Sequence, residues 1–431
     1  MAGAAQKKYL AYHPSFAAVK SDGSVITWGD ADKGGDSSLV EHRLQEGVVQ
    51  VVGSRLAFAA VKSDGSVITW EDADKGGDSS LVEHRLQEGV VQVVGNRYAF
   101  AAVKSDGSVI TWGDADGGGD SSLVEHRLQE GVVQVVGNRY AFAAVKSDGS
   151  VITWGHGDMG GDSSLAEHRL QEAVVQVVGN HWAFAAVKSD GSVITWGDDD
   201  MGGDSSLVEH RLQEGVMQVV ANFGAFAAVK SDGSVITWGD ADGGGDSSLV
   251  EPRLQEGVVQ VVGNELAFAA VKSDGSVITW GDADGGGDSS LVEHRLQEGV
   301  MQVVAHFGAF AAVKSDGSVI TWGDADGGGD SSLVEHRLQE GVVQVVGNDL
   351  ALAAVKSDGS VITWGDADGG GDSSLVEHRL QEGVVQVVGN RYAFAAVKSD
   401  GSVITWGDAD GGGDSSLVEH QLKEGVISVV S

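Results

Sequence analysis

In the stretch Asp240-Ala-Asp242-Gly-Gly-Gly245-Asp246-Ser-Ser248-Leu-Val-Glu251, oxygen-bearing side chains occupy positions 1, 3, 7, 9 and 12 of a twelve-residue loop, with glycine at position 6. A calcium loop uses this spacing, because a hard cation needs several oxygens around one sharp turn. Asp240, Asp242, Asp246 and Glu251 are therefore candidate metal ligands. Two features weigh against them: Gly244 stands where an acid is usual and Ser247 where an apolar residue is usual. Glycine and aspartate are also the ordinary turn formers, so a solvated turn is the competing reading. Weak calcium binding is the only cofactor expectation.

Other chemistry is sparse. Glu-His recurs, as at Glu83-His84, but adjacent residues do not face one another and no second histidine follows at i+4. No serine sits in a nucleophile-elbow context, and no phosphate loop or dinucleotide fingerprint is found. The expectation is a protein that is not an enzyme. Cysteine is absent, which excludes disulfides and thiolate sites. The 63 acidic and 28 basic side chains give a formal net charge of −35. That field opposes nucleic-acid backbones and anionic membranes and favours basic partners. The N-terminus lacks the apolar run of a signal peptide, and no apolar run reaches membrane-spanning length, so a soluble intracellular protein, cytoplasmic rather than nuclear, is expected.

The element that must carry these residues is a repeat. Tryptophans at 28, 70, 112, 154, 196, 238, 280, 322, 364 and 406 mark ten copies of a 42-residue unit across one domain spanning 1–431. In the unit at 89–130, the β-branched run 90–94 (VVQVV) predicts a buried strand. Ser105-Asp106-Gly107 lies between two apolar runs and predicts a hairpin with a tight type I′ turn. That pairing groups Ala101, Val103, Ile110 and Trp112 on one face, and Phe100, Ala102, Val109 and Thr111 on the other. Both faces are apolar, so each sheet must lie between its neighbours. Segment 122–130 has capping-box spacing and predicts a two-turn helix ending at Gly131, with an edge strand as the alternative. Ala173 replaces that glycine in the fourth repeat, which argues that a left-handed residue there is not obligatory.

The pattern Asp106-Gly107-Ser-Val-x-x-Trp112-Gly113, then a glycine-rich loop, then Val132-Val-x-Val-Val-Gly137, resembles the regulator of chromosome condensation (RCC) repeat over residues 7–431. The resemblance implies an all-β propeller, with room for short rim helices. The chain departs from that family at Gly118-Gly119-Asp120-Ser121, where a Gln-Leu-Gly signature is usual, and at Trp70-Glu71, where Trp-Gly is usual. Val426-Ile-Ser-Val-Val430 is an extra first strand and is expected to close a ring, a closed ring being favoured over an open spiral. Lys7-Lys-Tyr-Leu10 is a poorer strand at the corresponding register, and residues 1–6 are expected to form a flexible tail.

Most positions are identical between copies, and the differences gather just after the VVQVV strand. Arg55, Arg97-Tyr98, Arg139-Tyr140, His181-Trp182, Phe223, Phe307 and Arg391-Tyr392 are the candidate binding residues. Arg, Tyr and Trp are enriched at interface hot spots, and equivalent loops of a propeller emerge on one face. The expectation is a scaffold binding a basic protein or peptide. Acidic calcium binding is the alternative. Guanine-nucleotide exchange, which the resemblance implies, is disfavoured by the acidic charge and by the short repeats.

Overall fold

The computed structural model describes residues 14–431. The expected tail at 1–6 and the segment Lys7–Leu10 lie outside the described residues. Thirty strands, β1–β30 in chain order, form ten three-stranded antiparallel sheets, and the chain is an all-β, ten-bladed propeller. These sheets agree with the fold that the RCC-repeat resemblance implies.

In the third blade β6 (Val90–Gly95) pairs with β7 (Ala99–Lys104), which pairs with β8 (Val109–Gly113). Across the hairpin Phe100 faces Trp112, Ala101 faces Thr111, Ala102 faces Ile110 and Val103 faces Val109. The faces are therefore Phe100, Ala102, Ile110 and Trp112 on one side, and Ala99, Ala101, Val103 and Val109 on the other. This corrects the sequence-based grouping by one residue, and the turn explains the slip. Gly107 has a φ of +77° while Asp106 keeps an ordinary negative φ, so the turn is not type I′. Lys104 N–H donates to Ser108 O and Gly107 N–H to Lys104 O, both at 2.9 Å. Three residues thus form the loop, a type I turn closed by a left-handed glycine. The added loop residue transfers every side chain on one strand to the opposite face.

The aromatic face of each blade packs on the small-residue face of the blade before it. Phe100, Ala102, Ile110 and Trp112 bury against Ala57, Ala59, Val61 and Val67. Phe100 and Trp112 stack at 5.4 Å between ring centroids, and burying a side chain like Phe100 contributes about 1.5–3 kcal/mol. Alanine leaves the depth that the indole fills.

The first blade draws on both ends of the described chain. β1 (Ser15–Lys20) pairs with β2 (Val25–Gly29) and, on its other edge, with β30 (Val426–Val430), in the register Ala17–Val430, Ala18–Val429 and Val19–Ser428. Phe16, Ala18, Ile26 and Trp28 then bury against Ala393, Ala395, Val397 and Val403 of the tenth blade. The opposite face, with Ala17 and Val19, buries against Phe58 and Trp70 of the second.

Neighbouring blades approach through their first and second strands, whereas their third strands lie apart, so the first strands face the axis. The expectation that β6 is wholly buried is corrected. Val90 and Val93 are buried, but Val91 sits at a bulge in the pairing and is exposed. Segment 119–128 runs along the outer edge of β8, where Thr111 Oγ1 donates to Gly119 O at 3.0 Å and Val109 N–H to Leu128 O at 2.9 Å. It forms neither the two-turn helix nor an edge strand. Only Glu125–Arg127 make a single 3-10 turn. Asp120 accepts the Ser122 N–H at 2.8 Å, and such local side-chain bonds compete with a helix. Glu125 does not complete a capping box but pairs with Arg85 of the preceding blade at 3.0 Å. Ala173 holds φ at +66°, so the left-handed backbone there persists without glycine, against expectation. Among the described residues no helix is long and apolar enough to cross a membrane.

Candidate interaction face

The variable pair follows the first strand, and in seven blades it is held by an asparagine that the sequence analysis passed over, with Ser54 and His306 at that place in the second and eighth. Asn96 is fully buried, its Oδ1 accepts the N–H groups of Tyr98 and Ala99 at 2.8 Å each, and its Nδ2 donates to Gly117 O at 2.7 Å. The same bonds recur at Asn138, Asn180, Asn264, Asn348 and Asn390. The available signal was an asparagine repeated beside changing neighbours. A buried amide that satisfies the turn backbone lets the next two side chains vary freely.

The variable side chains meet one another across blades. Tyr98 stacks on Tyr140 at 5.1 Å, Tyr140 on Trp182 at 5.7 Å, and Trp182 meets Phe223 edge-on at 6.0 Å. His181 lies 4.3 Å from Phe223. Guanidinium groups cover this succession: Arg97 is 5.7 Å from the Tyr98 ring, and Arg139 is 5.3 Å from Tyr140 and 5.4 Å from Trp182. Backbone bonds tie the loops together, from Arg55 N–H to Arg97 O at 3.4 Å and from His181 N–H to Phe223 O at 3.2 Å. Blades two to six thus present one cationic and aromatic arc.

The remaining blades bring acid to the same face. Glu265 N–H donates to Phe307 O at 3.0 Å. Arg391 Nε donates to Asp349 Oδ2 at 3.1 Å, and Arg391 also lies 5.1 Å from the Tyr392 ring. Burial pushes the Glu265 carboxyl up to about 7; the Asp349 charge adds to that shift while Arg391 and Arg139 oppose it. Burial also raises Asp349, to about 6, against the pull of Arg391. Arg139 and Glu265 belong to the fourth and seventh blades, so side chains from separated blades come within electrostatic reach. Phe307 stands beside Gly308 and is not joined to the Tyr98–Phe223 succession by any ring contact among the described residues.

The candidate metal ligands are not assembled. Asp240 accepts the Asp242 N–H at 3.3 Å, Asp246 accepts the Ser248 N–H at 2.8 Å, and Glu251 pairs with Arg211 at 3.0 Å. Among the described residues no group of three or more His, Asp or Glu side chains is arranged to hold an ion. The glycines have a packing role. Gly118 has a φ of +96°, and a Cβ on it would sit 2.7 Å from the Phe142 ring. Its carbonyl accepts the Trp154 indole N–H at 3.0 Å. Each of the ten repeat-marking tryptophans makes this bond to the blade before it, including Trp28 to Gly412 at 3.1 Å. Glu83 and its equivalents serve a rim belt of exposed Arg–Glu pairs, such as Arg127–Glu167 at 3.4 Å and Arg295–Glu335 at 2.9 Å. An open groove of about 730 Å³ lies between the second and third blades, lined by Leu81, Arg85, Trp112 and Asp114.

No known protein family matches the chain, and no characterised protein of similar sequence was found. Solved structures that resemble it include Prp20p from Saccharomyces cerevisiae, described with its binding to Gsp1p and histones. That alignment has 15% identity, covers 64% of this chain and 83% of the other, and has a TM-score of 0.35. The CRINKLY WD40 ectodomain of the Arabidopsis thaliana receptor kinase ACR4 aligns at 17% identity over 62% and 90%, with a TM-score of 0.34. The computationally designed Ika8 protein aligns at 14% identity over 74% and 96%, with a TM-score of 0.33. At such scores these likenesses carry no argument about activity.

Proposed function

We propose that the chain is a non-enzymatic interaction propeller, a rigid frame presenting the variable loops of one face to a protein or peptide partner. One observation carries this reading: the side chains that differ between blades are those that meet at Tyr98, Tyr140, Trp182 and Phe223. Asn96 and the Trp–Gly bonds repeat nearly unchanged beneath them. A surface of rigid aromatics flanked by arginine has the composition of an interface hot spot. The net charge of −35 favours a partner whose overall surface is basic. The intact chain with Tyr98, Tyr140 and Trp182 changed to alanine is the test, with partners identified by cross-linking and then reconstituted in purified form. The expected outcome is at least a tenfold loss of affinity, with Leu123→Ala on the outer rim leaving binding unchanged. Undiminished binding by the triple variant overturns the reading.

A further inference from the structure

Arg55, Arg97 and Arg139 stand on consecutive blades, and among the described residues none of them forms an ion pair. The contrast with the rest of the chain is sharp. Eight of the nine rim arginines each reach a glutamate of the following blade, the ninth, Arg379, donates to Val403 O at 3.3 Å, and Arg391 holds Asp349. With 63 acidic side chains against 28 basic ones, carboxylates are abundant, yet none comes within pairing distance of these three. The Nε atoms of Arg97 and Arg139 are enclosed by protein and make no hydrogen bond.

The surroundings fix these groups in place. Arg97 lies over Tyr98, and Arg139 lies over both Tyr140 and Trp182. Stacking engages the face of a guanidinium and leaves its in-plane N–H donors free, in the fork that matches a carboxylate or phosphate. Arg55 joins them through its backbone bond to Arg97, and Arg55 and Arg139 both act electrostatically on the Tyr140 hydroxyl.

We propose that Arg55, Arg97 and Arg139, braced by Tyr98, Tyr140 and Trp182, bind an oxyanion carried by the partner peptide, either a side-chain carboxylate or a phosphate ester. This deepens the interaction-face reading and rests on it. The field of the whole molecule weakens the binding of any anion without abolishing it, so basic residues beside the oxyanion in the partner strengthen the contact.

Calorimetry on the intact protein tests this with three probes: inorganic phosphate, N-acetyl-phosphoserine amide and N-acetyl-glutamate amide, with chloride as the background anion. At least one amide is expected to bind, and the stronger of the two identifies the source of the oxyanion. Arg97→Gln with Arg139→Gln is expected to weaken that binding at least tenfold. Arg127→Gln on the rim is expected to leave it unchanged. Since removing two unpaired cations could alter folding, the melting temperature of the double variant in chloride is measured beside it. Binding of neither amide overturns the proposal, as does equal binding by a folded double variant. If the reconstituted partner still loses affinity on the alanine triple variant but not on the arginine double variant, the face is an interface and the oxyanion site is wrong.

Discussion

Glu71 and Ala173 occupy backbone positions that other blades give to glycine, with φ of +85° and +66°. A side chain in the left-handed region costs about 1–2 kcal/mol. Ala173→Gly is therefore expected to raise unfolding free energy by about 1 kcal/mol, read by urea denaturation and independent of pH. Glu71 carries a second penalty. Burial, with Asp36, Asp32 and Asp30 adding to it, pushes its carboxyl up to about 6, although a bond from the Gly34 backbone opposes the shift. A folded-state value above the unfolded one means that the native protein binds the extra proton, so stability falls as pH rises from about 4.5 to 6. Glu71→Gly should thus stabilise more at pH 8 than at pH 4.5. The same sign holds for Glu265, raised to about 7. Glu265→Gln is expected to raise the melting temperature above pH 7 and to change it little near pH 4.5; an equal shift at both would place the cause elsewhere.

Among the elements, the Trp–Gly link and the rim ion pairs make opposite forecasts. Trp154→Phe leaves the buried Gly118 carbonyl without its donor and is expected to cost about 1–3 kcal/mol. Gly118→Ala drives a methyl into the Phe142 ring and should cost at least as much. Arg127→Gln breaks a pair whose partners are each one third or more exposed, and exposed pairs contribute about 0–1 kcal/mol; urea titrations of the three variants measure the order. The stacked repeat was legible, because ten tryptophans in strict register and two apolar faces per hairpin require a neighbour on each side; the propeller followed only from the resemblance to the RCC repeat. The register of that hairpin was not. Asp-Gly suits both a two-residue and a three-residue loop, and only the φ of Asp106 separates them. The glycine-rich loop shows the same limit of spacing. Spacing reports oxygens along a chain, whereas Asp246 and Glu251 turn away to Ser248 and Arg211. The aromatic succession on the variable face was visible as a set of changing residues, but Asn96 beneath it went unread, since a repeated asparagine beside a turn also suits an ordinary solvated loop.

For the molecule as a whole, the pairing of β1 with β30 gives one blade a strand from the far end of the sequence. Deleting residues 426–431 strips a sheet edge and uncovers Phe16 and Ala18. The expected result is a lower melting temperature and concentration-dependent oligomers, seen by light scattering, as free edges take strands from other molecules. A synthetic peptide covering 424–431 should reverse both changes by occupying the edge. Failure of that rescue would show that the strand contributes little.

The near identity of the first strands also bears on how the chain finds its shape during synthesis. Val48–Gly53 emerges long before Val426–Val430 and shares its valines at the buried positions, so the berth beside Ser15–Lys20 has an early impostor. Its rightful hairpin, beginning at Ala57, is closer along the chain than Lys20 is. Local pairing therefore claims it first, because a shorter loop closes at lower entropic cost. Where that race is lost, each hairpin takes the strand that follows it, so ten sheets still form but no sheet joins the two ends of the chain.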